Sequence, residues 1–77
     1  MKKSEFLALI DDILEEPAGT VRADQLLEEL PSWDSLAMVS FIAVVNGQFE
    51  LTLQAEKLKN ARSVDDLLAL VGKHVEP

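Results

Sequence analysis

The chain has 77 residues with 14 acidic against 7 basic, a formal net charge of −7, and is 48% hydrophobic, which fits one small domain over residues 1–77 that buries only about 60% of its unfolded surface. That charge has the wrong sign for a nucleic-acid binder, whose phosphate contacts need Lys and Arg. With no Cys and a single His, His74, there is no disulfide and no ordinary metal-ligand set, and no stretch approaches the ~20 apolar residues of a membrane span.

In chain order, Lys2 and Lys3 precede an apolar stretch interrupted by Asp11 and Asp12. No small-residue cleavage site follows, so the pattern points to a cytoplasmic protein rather than a secreted one. The first predicted helix spans about 4–15. Ser4 is its expected N-cap, Glu5 suits the first turn, and Phe6, Ile10, Ile13 and Leu14 form an apolar stripe. Pro17 and Gly19 are expected to stop it. A long connection follows to Ser32. Val21, Leu26, Leu27 and Leu30 should pin it to the core, with one helical turn near 24–30, and Pro31 closes it.

The second predicted helix starts near Asp34, with Asp34 or Ser32 placed to cap it. Met38, Phe41, Ile42, Val45 and Phe49 give the expected core stripe. Its end is ambiguous, because Asn46-Gly47 reads as a stop while Phe49 continues the pattern. Phe49, Leu51 and Leu53 then alternate with polar residues. A lone strand would leave its backbone groups unpaired, so the segment reads as an extended connection. A short third helix is expected over about 54–59. A firmer fourth is expected over 63–73, opened by a Ser63/Asp66 capping box, with Val64, Leu67, Leu68 and Val71 facing inward. The fold class is therefore all-α: a small four-helix bundle with a long first loop.

Enzyme signatures are missing from the residues. Gly occurs only at 19, 47 and 72, which builds no phosphate-cradling loop. A Ser–His–Asp set would have to recruit His74 near the end of the sequence. The adjacent pairs Asp11-Asp12 and Glu28-Glu29 point in different directions on a helix and read as solvated faces. No catalytic and no metal-binding residue is expected.

The informative segment is Ser32-Trp33-Asp34-Ser35-Leu36-Ala37-Met38-Val39. Ser35 falls in the first turn of a helix, where free N–H groups and partial positive charge favour a phosphodiester. Its hydroxyl should be reachable at the loop–helix junction, and Asp34 can orient it or help hold a divalent metal during a transfer. The same pattern also serves as an ordinary helix start, with Asp34 the cap and Ser35 merely tolerated. These residues alone leave both readings open.

The wider pattern resembles the acyl carrier protein family over roughly residues 4–73. Asp34-Ser35-Leu36 is similar to that family's attachment motif. The length, the acidity, the amphipathic first helix, the long loop, the Phe49-Glu50-Leu51-Thr52-Leu53 exit and the Ala61-Arg62-Ser63-Val64-Asp65-Asp66-Leu67 segment fit as well. The resemblance implies a 4′-phosphopantetheine arm on Ser35, supported by Asp34. A phosphopantetheinyl transferase would install it from coenzyme A with Mg²⁺. The arm's thiol would hold acyl groups as thioesters between acyl-loading and acyl-using enzymes. The protein would be a carrier and not itself an enzyme, and a monomer.

Two departures qualify the resemblance. Trp33 stands where many fatty-acid carriers have a small residue. The second helix, strongly acidic in those carriers, holds no Asp or Glu between Asp34 and Glu50, and positions 36–45 are nine apolar residues and Ser40. With the core stripe inward, Leu36, Val39 and Ala43, with Val44 nearby, are left on the outer side as a candidate partner face. Charge for such a partner would come from Asp34, Glu28, Glu29 and Glu56. These departures favour a specialised pathway over core fatty-acid synthesis. An aminoacyl or peptidyl carrier, and an unmodified helical interaction module, are the alternatives.

Overall fold

The helical stripes of the sequence become four α-helices in the computed structural model, which describes residues 1–76: α1 (Lys3–Ile13), α2 (Ser35–Phe49), α3 (Ala55–Lys59) and α4 (Val64–Val71). Three are eight residues or longer and α3 is short. Two 3₁₀ turns add to them, Leu27–Glu29 and Gly72–His74. No strand occurs among the described residues. Pro77, the last residue of the expected domain, lies outside them. The extents are 27 × 25 × 19 Å.

α1 begins two residues earlier than Ser4 as cap would require. Lys2 holds the cap position, and its N–H donates to Glu5 Oε1 at 2.9 Å. A lysine side chain accepts no hydrogen bond, so only the acidic half of a capping box forms. The helix ends at Ile13, before Pro17 can act. Glu15 takes φ 58°, its N–H donates to Asp12 O (3.1 Å), and the Glu16 N–H donates to Asp11 O (2.9 Å). This is a Schellman ending with Glu where Gly is usual, at a strain of roughly 1 kcal/mol.

In the long loop Val21, Leu27 and Leu30 are buried as expected, but Leu26 is 41% exposed. Leu26 is fixed through its backbone neighbours instead. The Leu27 N–H donates to Arg62 O (2.8 Å) and the Val64 N–H to Gln25 O (3.0 Å), a bridge between Leu26 and Ser63 that stitches the loop to the start of α4.

In α2 the fully buried residues are Ala37, Phe41 and Val45, while Met38, Ile42 and Phe49 are half-buried. The buried line is thus turned toward Ala37 from the stripe expected. Asn46 and Gly47 lie inside the helix. It ends at Phe49, where Glu50 takes φ 55° and donates its N–H to Asn46 O at 2.9 Å. Residues 51–54 belong to no helix or strand and lead into α3, with Leu53 buried and Leu51 half-buried.

α4 opens with the expected box. The Asp66 N–H donates to Ser63 Oγ (3.2 Å), and Asp66 Oδ2 accepts from the N–H groups of Ser63 (3.1 Å) and Arg62 (2.8 Å). Those backbone donors, Arg62 first, hold the Asp66 carboxyl below its ordinary 3.8. Gly72 ends the helix at φ 55°, ψ −128°, a conformation only glycine adopts without strain. Glu76 then pairs beside Lys2, its N–H donating to Met1 O at 2.8 Å.

Phe6 and Ile10 of α1, Phe41 and Val45 of α2, Leu58 of α3, and Val64, Leu67 and Val71 of α4 make up the innermost core. Each such side chain contributes about 1.5–3 kcal/mol on burial.

Candidate functional site

The site is built where the long loop becomes α2. Asp34 is extended (φ −132°) and is the N-cap; its Oδ1 accepts from the Ala37 N–H at 2.9 Å. Its carbonyl accepts from the Met38 N–H at 3.0 Å. Ser32, the other expected cap, instead directs its hydroxyl to Glu16 Oε1 at 3.4 Å. Ser35 is the first helical residue and is exposed. The amides of Ser35 and Leu36 have no hydrogen-bond partner among the described residues. They lie at the positive end of a fifteen-residue helix, which suits a phosphodiester attached to the Ser35 hydroxyl.

Two features hold this junction, and neither was read from the sequence. Trp33 packs edge-on against Phe41 (centroids 5.9 Å apart, planes at 70°), and Phe41 in turn meets Phe6 edge-on (5.9 Å, 87°). Both pairs have the geometry of favourable aromatic contacts. The indole therefore anchors the loop end directly before Asp34. Further back, Asp11 is buried, not solvated as expected. Its Oδ2 accepts from the Gly19 N–H and its Oδ1 from the Val21 N–H, both at 2.9 Å. The carboxylate acts as a clasp that holds the start of the loop on α1. A signal was available: Asp11 is four residues on from Leu7, on the flank of the apolar stripe that faces the turn at Pro17 and Gly19.

Leu36 (73%), Val39 (63%) and Ala43 are exposed, and Val44 is half-buried. The structure thus brings Leu36, Val39 and Ala43 together on the outer face of α2. The described residues contain no cluster of side chains able to hold a metal ion. No described helix is long and apolar enough to cross a membrane. The chain matches no protein-family model, no curated protein and no solved structure.

Proposed function

We propose that the chain is a carrier protein, a small four-helix bundle on which Ser35 bears a 4′-phosphopantetheine arm taken from coenzyme A. The observation that carries the reading is the exposed Ser35 hydroxyl on the first residue of α2, beside free helix-end amides, with Asp34 locked as the cap. One oxygen of Asp34 is committed to the cap; the other remains to orient the Ser35 hydroxyl during transfer. The bound arm supplies a thiol, which a chain without Cys lacks, and holds an acyl group as a thioester.

The partners are then a phosphopantetheinyl transferase and the enzymes that load and use the acyl group. The protein catalyses nothing itself and works as a cytoplasmic monomer. The uncharged outer face of α2 favours a specialised pathway. An aminoacyl or peptidyl cargo would use the same serine. The exposed Leu36 and Val39 also support a second reading, an unmodified interaction module in which Ser35 only opens the helix.

The test is to incubate the protein with coenzyme A, Mg²⁺ and a broad-specificity transferase, then measure intact mass. One added phosphopantetheine that is lost in Ser35→Ala supports the carrier. No addition by several transferases supports the interaction module.

A further inference from the structure

Asn46-Gly47 is the only Asn-Gly pair in the sequence, and both residues are exposed. The pair has the chemistry of a turn, yet it lies inside α2. An Asn side chain is thermally labile, because the backbone nitrogen of the next residue can attack its amide carbon. Glycine offers that nitrogen with no Cβ beside it, and nothing lies within 4 Å of a Cβ added at Gly47. The other asparagine, Asn60, is followed by Ala61. Ala61 carries a methyl group, is half-buried, and donates its N–H to Leu58 O at 3.2 Å.

In the closed helix the reacting atoms are kept apart. The Gly47 N–H belongs to the helical ladder, and Asn46 Nδ2 donates to Thr52 Oγ1 at 3.3 Å. The turn that imposes this arrangement is lightly held. It is the last of α2, where the final carbonyls lack partners within the helix, and a glycine there costs helix propensity. Glu50 closes it in a left-handed conformation (φ 55°), donating its N–H to Asn46 O at 2.9 Å. The half-buried Phe49 ring rests on exposed His74, with centroids 5.3 Å apart. Phe41 and Val45 are fully buried, so this turn can open while they hold the rest of α2 in place.

We propose that Asn46 is a site of spontaneous deamidation, reached when the last turn of α2 opens by itself. A bond forms between Gly47 N and Asn46 Cγ, the Cγ–Nδ2 bond breaks, and ammonia leaves with the proton of the Gly47 amide. Water then opens the cyclic imide at either carbonyl, leaving an aspartate or an isoaspartate at position 46. Water is the sole co-reactant. The product is one unit more negative than the net charge of −7. The new charge sits at the negative end of the helix macrodipole, four residues before Glu50. Isoaspartate also adds an atom to the backbone, which breaks the helical repeat. Both products disfavour the last turn, at the opposite end of α2 from Ser35, so the site does not rest on the modification of Ser35.

The experiment incubates the unmodified full chain in mildly alkaline buffer below its melting temperature. Peptide mass mapping follows the replacement of NH₂ by OH, and chromatography separates the aspartate and isoaspartate peptides. The expected result is conversion at Asn46 while Asn60 stays intact. Gly47→Ala slows the reaction about fivefold or more, from helix propensity alone. His74→Ala removes the ring under Phe49 at an exposed position and speeds the reaction about two- to tenfold, the size of one aromatic contact. Asp11→Ala, which removes the clasp on the loop, leaves the rate unchanged. The inference is overturned if Asn60 converts first, if Asn46 in the wild type stays intact as long as in Gly47→Ala, or if His74→Ala has no effect. It is also overturned if Asp11→Ala speeds conversion about thirtyfold, the mark of a reaction that needs the whole fold to open.

Discussion

Replacing Asp11 by Ala removes the clasp between α1 and the long loop. The carboxylate accepts two backbone N–H groups at 2.9 Å, and it is 2% exposed. In the variant the Val21 N–H stays in the interior with no acceptor, while Gly19, which is exposed, regains water. Hydrogen bonds to a charged group contribute about 1.5–3 kcal/mol, and a stranded buried donor costs about 1–3 kcal/mol. Allowing for rehydration at Gly19, the loss is about 2–3 kcal/mol, a large share of the total for a small domain. The melting temperature should fall by about 10–20 °C. Asp11→Asn keeps one acceptor but turns an NH₂ toward the other amide, so it should lose about half as much. Urea denaturation followed by circular dichroism gives the free energies. Hydrogen exchange should show lost protection at the Val21 amide in Asp11→Ala. A loss below about 0.5 kcal/mol for Asp11→Ala, with Val21 still protected, would refute the clasp.

Three further outcomes bear on the elements around the site. Gly47→Ala should stabilise by about 1 kcal/mol in thermal or urea denaturation, because Gly47 is inside α2 with nothing within 4 Å of an added Cβ; a net destabilisation would mean that the helix stops at Asn46. Trp33→Ala should destabilise by about 2 kcal/mol, less than a fully buried aromatic because Trp33 is only half-buried, and amide shifts should report the change at Asp34 and Ser35. Asp66 is held below its ordinary 3.8 by the Arg62 and Ser63 amides. Its contribution is therefore complete above that value and fades as pH falls through the lower folded one. The stability gap between wild type and Asp66→Asn, from urea titrations at pH 7, 4 and 3, should be flat above about pH 5 and shrink toward pH 3; a gap that widens on acidification would contradict the assignment.

How much was legible depended on contrast along the chain. α1 and α4 alternate apolar stripes with charge, so Phe6, Ile10 and Leu14, and Val64, Leu67 and Val71, were readable as core residues. α2 is apolar nearly all round from 36 to 45, so periodicity has little to work on there. The stripe expected from spacing includes Met38 and Ile42, although Ala37 is the residue buried alongside Phe41 and Val45. Its end was unreadable for a different reason: Asn46-Gly47 has the chemistry of a stop, but Phe49 still packs as part of the helix, and Glu50 makes the left-handed turn instead. Pairings between residues far apart in sequence leave no local trace. Leu26 beside Ser63, Lys2 beside Glu76, and the ring of Phe49 over His74 at 5.3 Å belong to this group. The candidate site was legible where it depends on local rules. An Asp cap followed by Ser fixes Ser35 on the first turn, and the exposure of Leu36 and Val39 follows from their angle on the helix. The supports of the site, Trp33 on Phe41 and Asp11 on the loop, are tertiary contacts and emerged only from the fold.

The attachment claim is met most directly by fragmenting the transferase-treated protein and locating the added group on its peptide. The chain has five serines: Ser4, Ser32, Ser35, Ser40 and Ser63. The account predicts a single phosphopantetheine on the Ser35 oxygen, undiminished in Ser32→Ala and Ser40→Ala and abolished in Ser35→Ala. A group found on any other serine, or a chain left unmodified by several transferases, would contradict it.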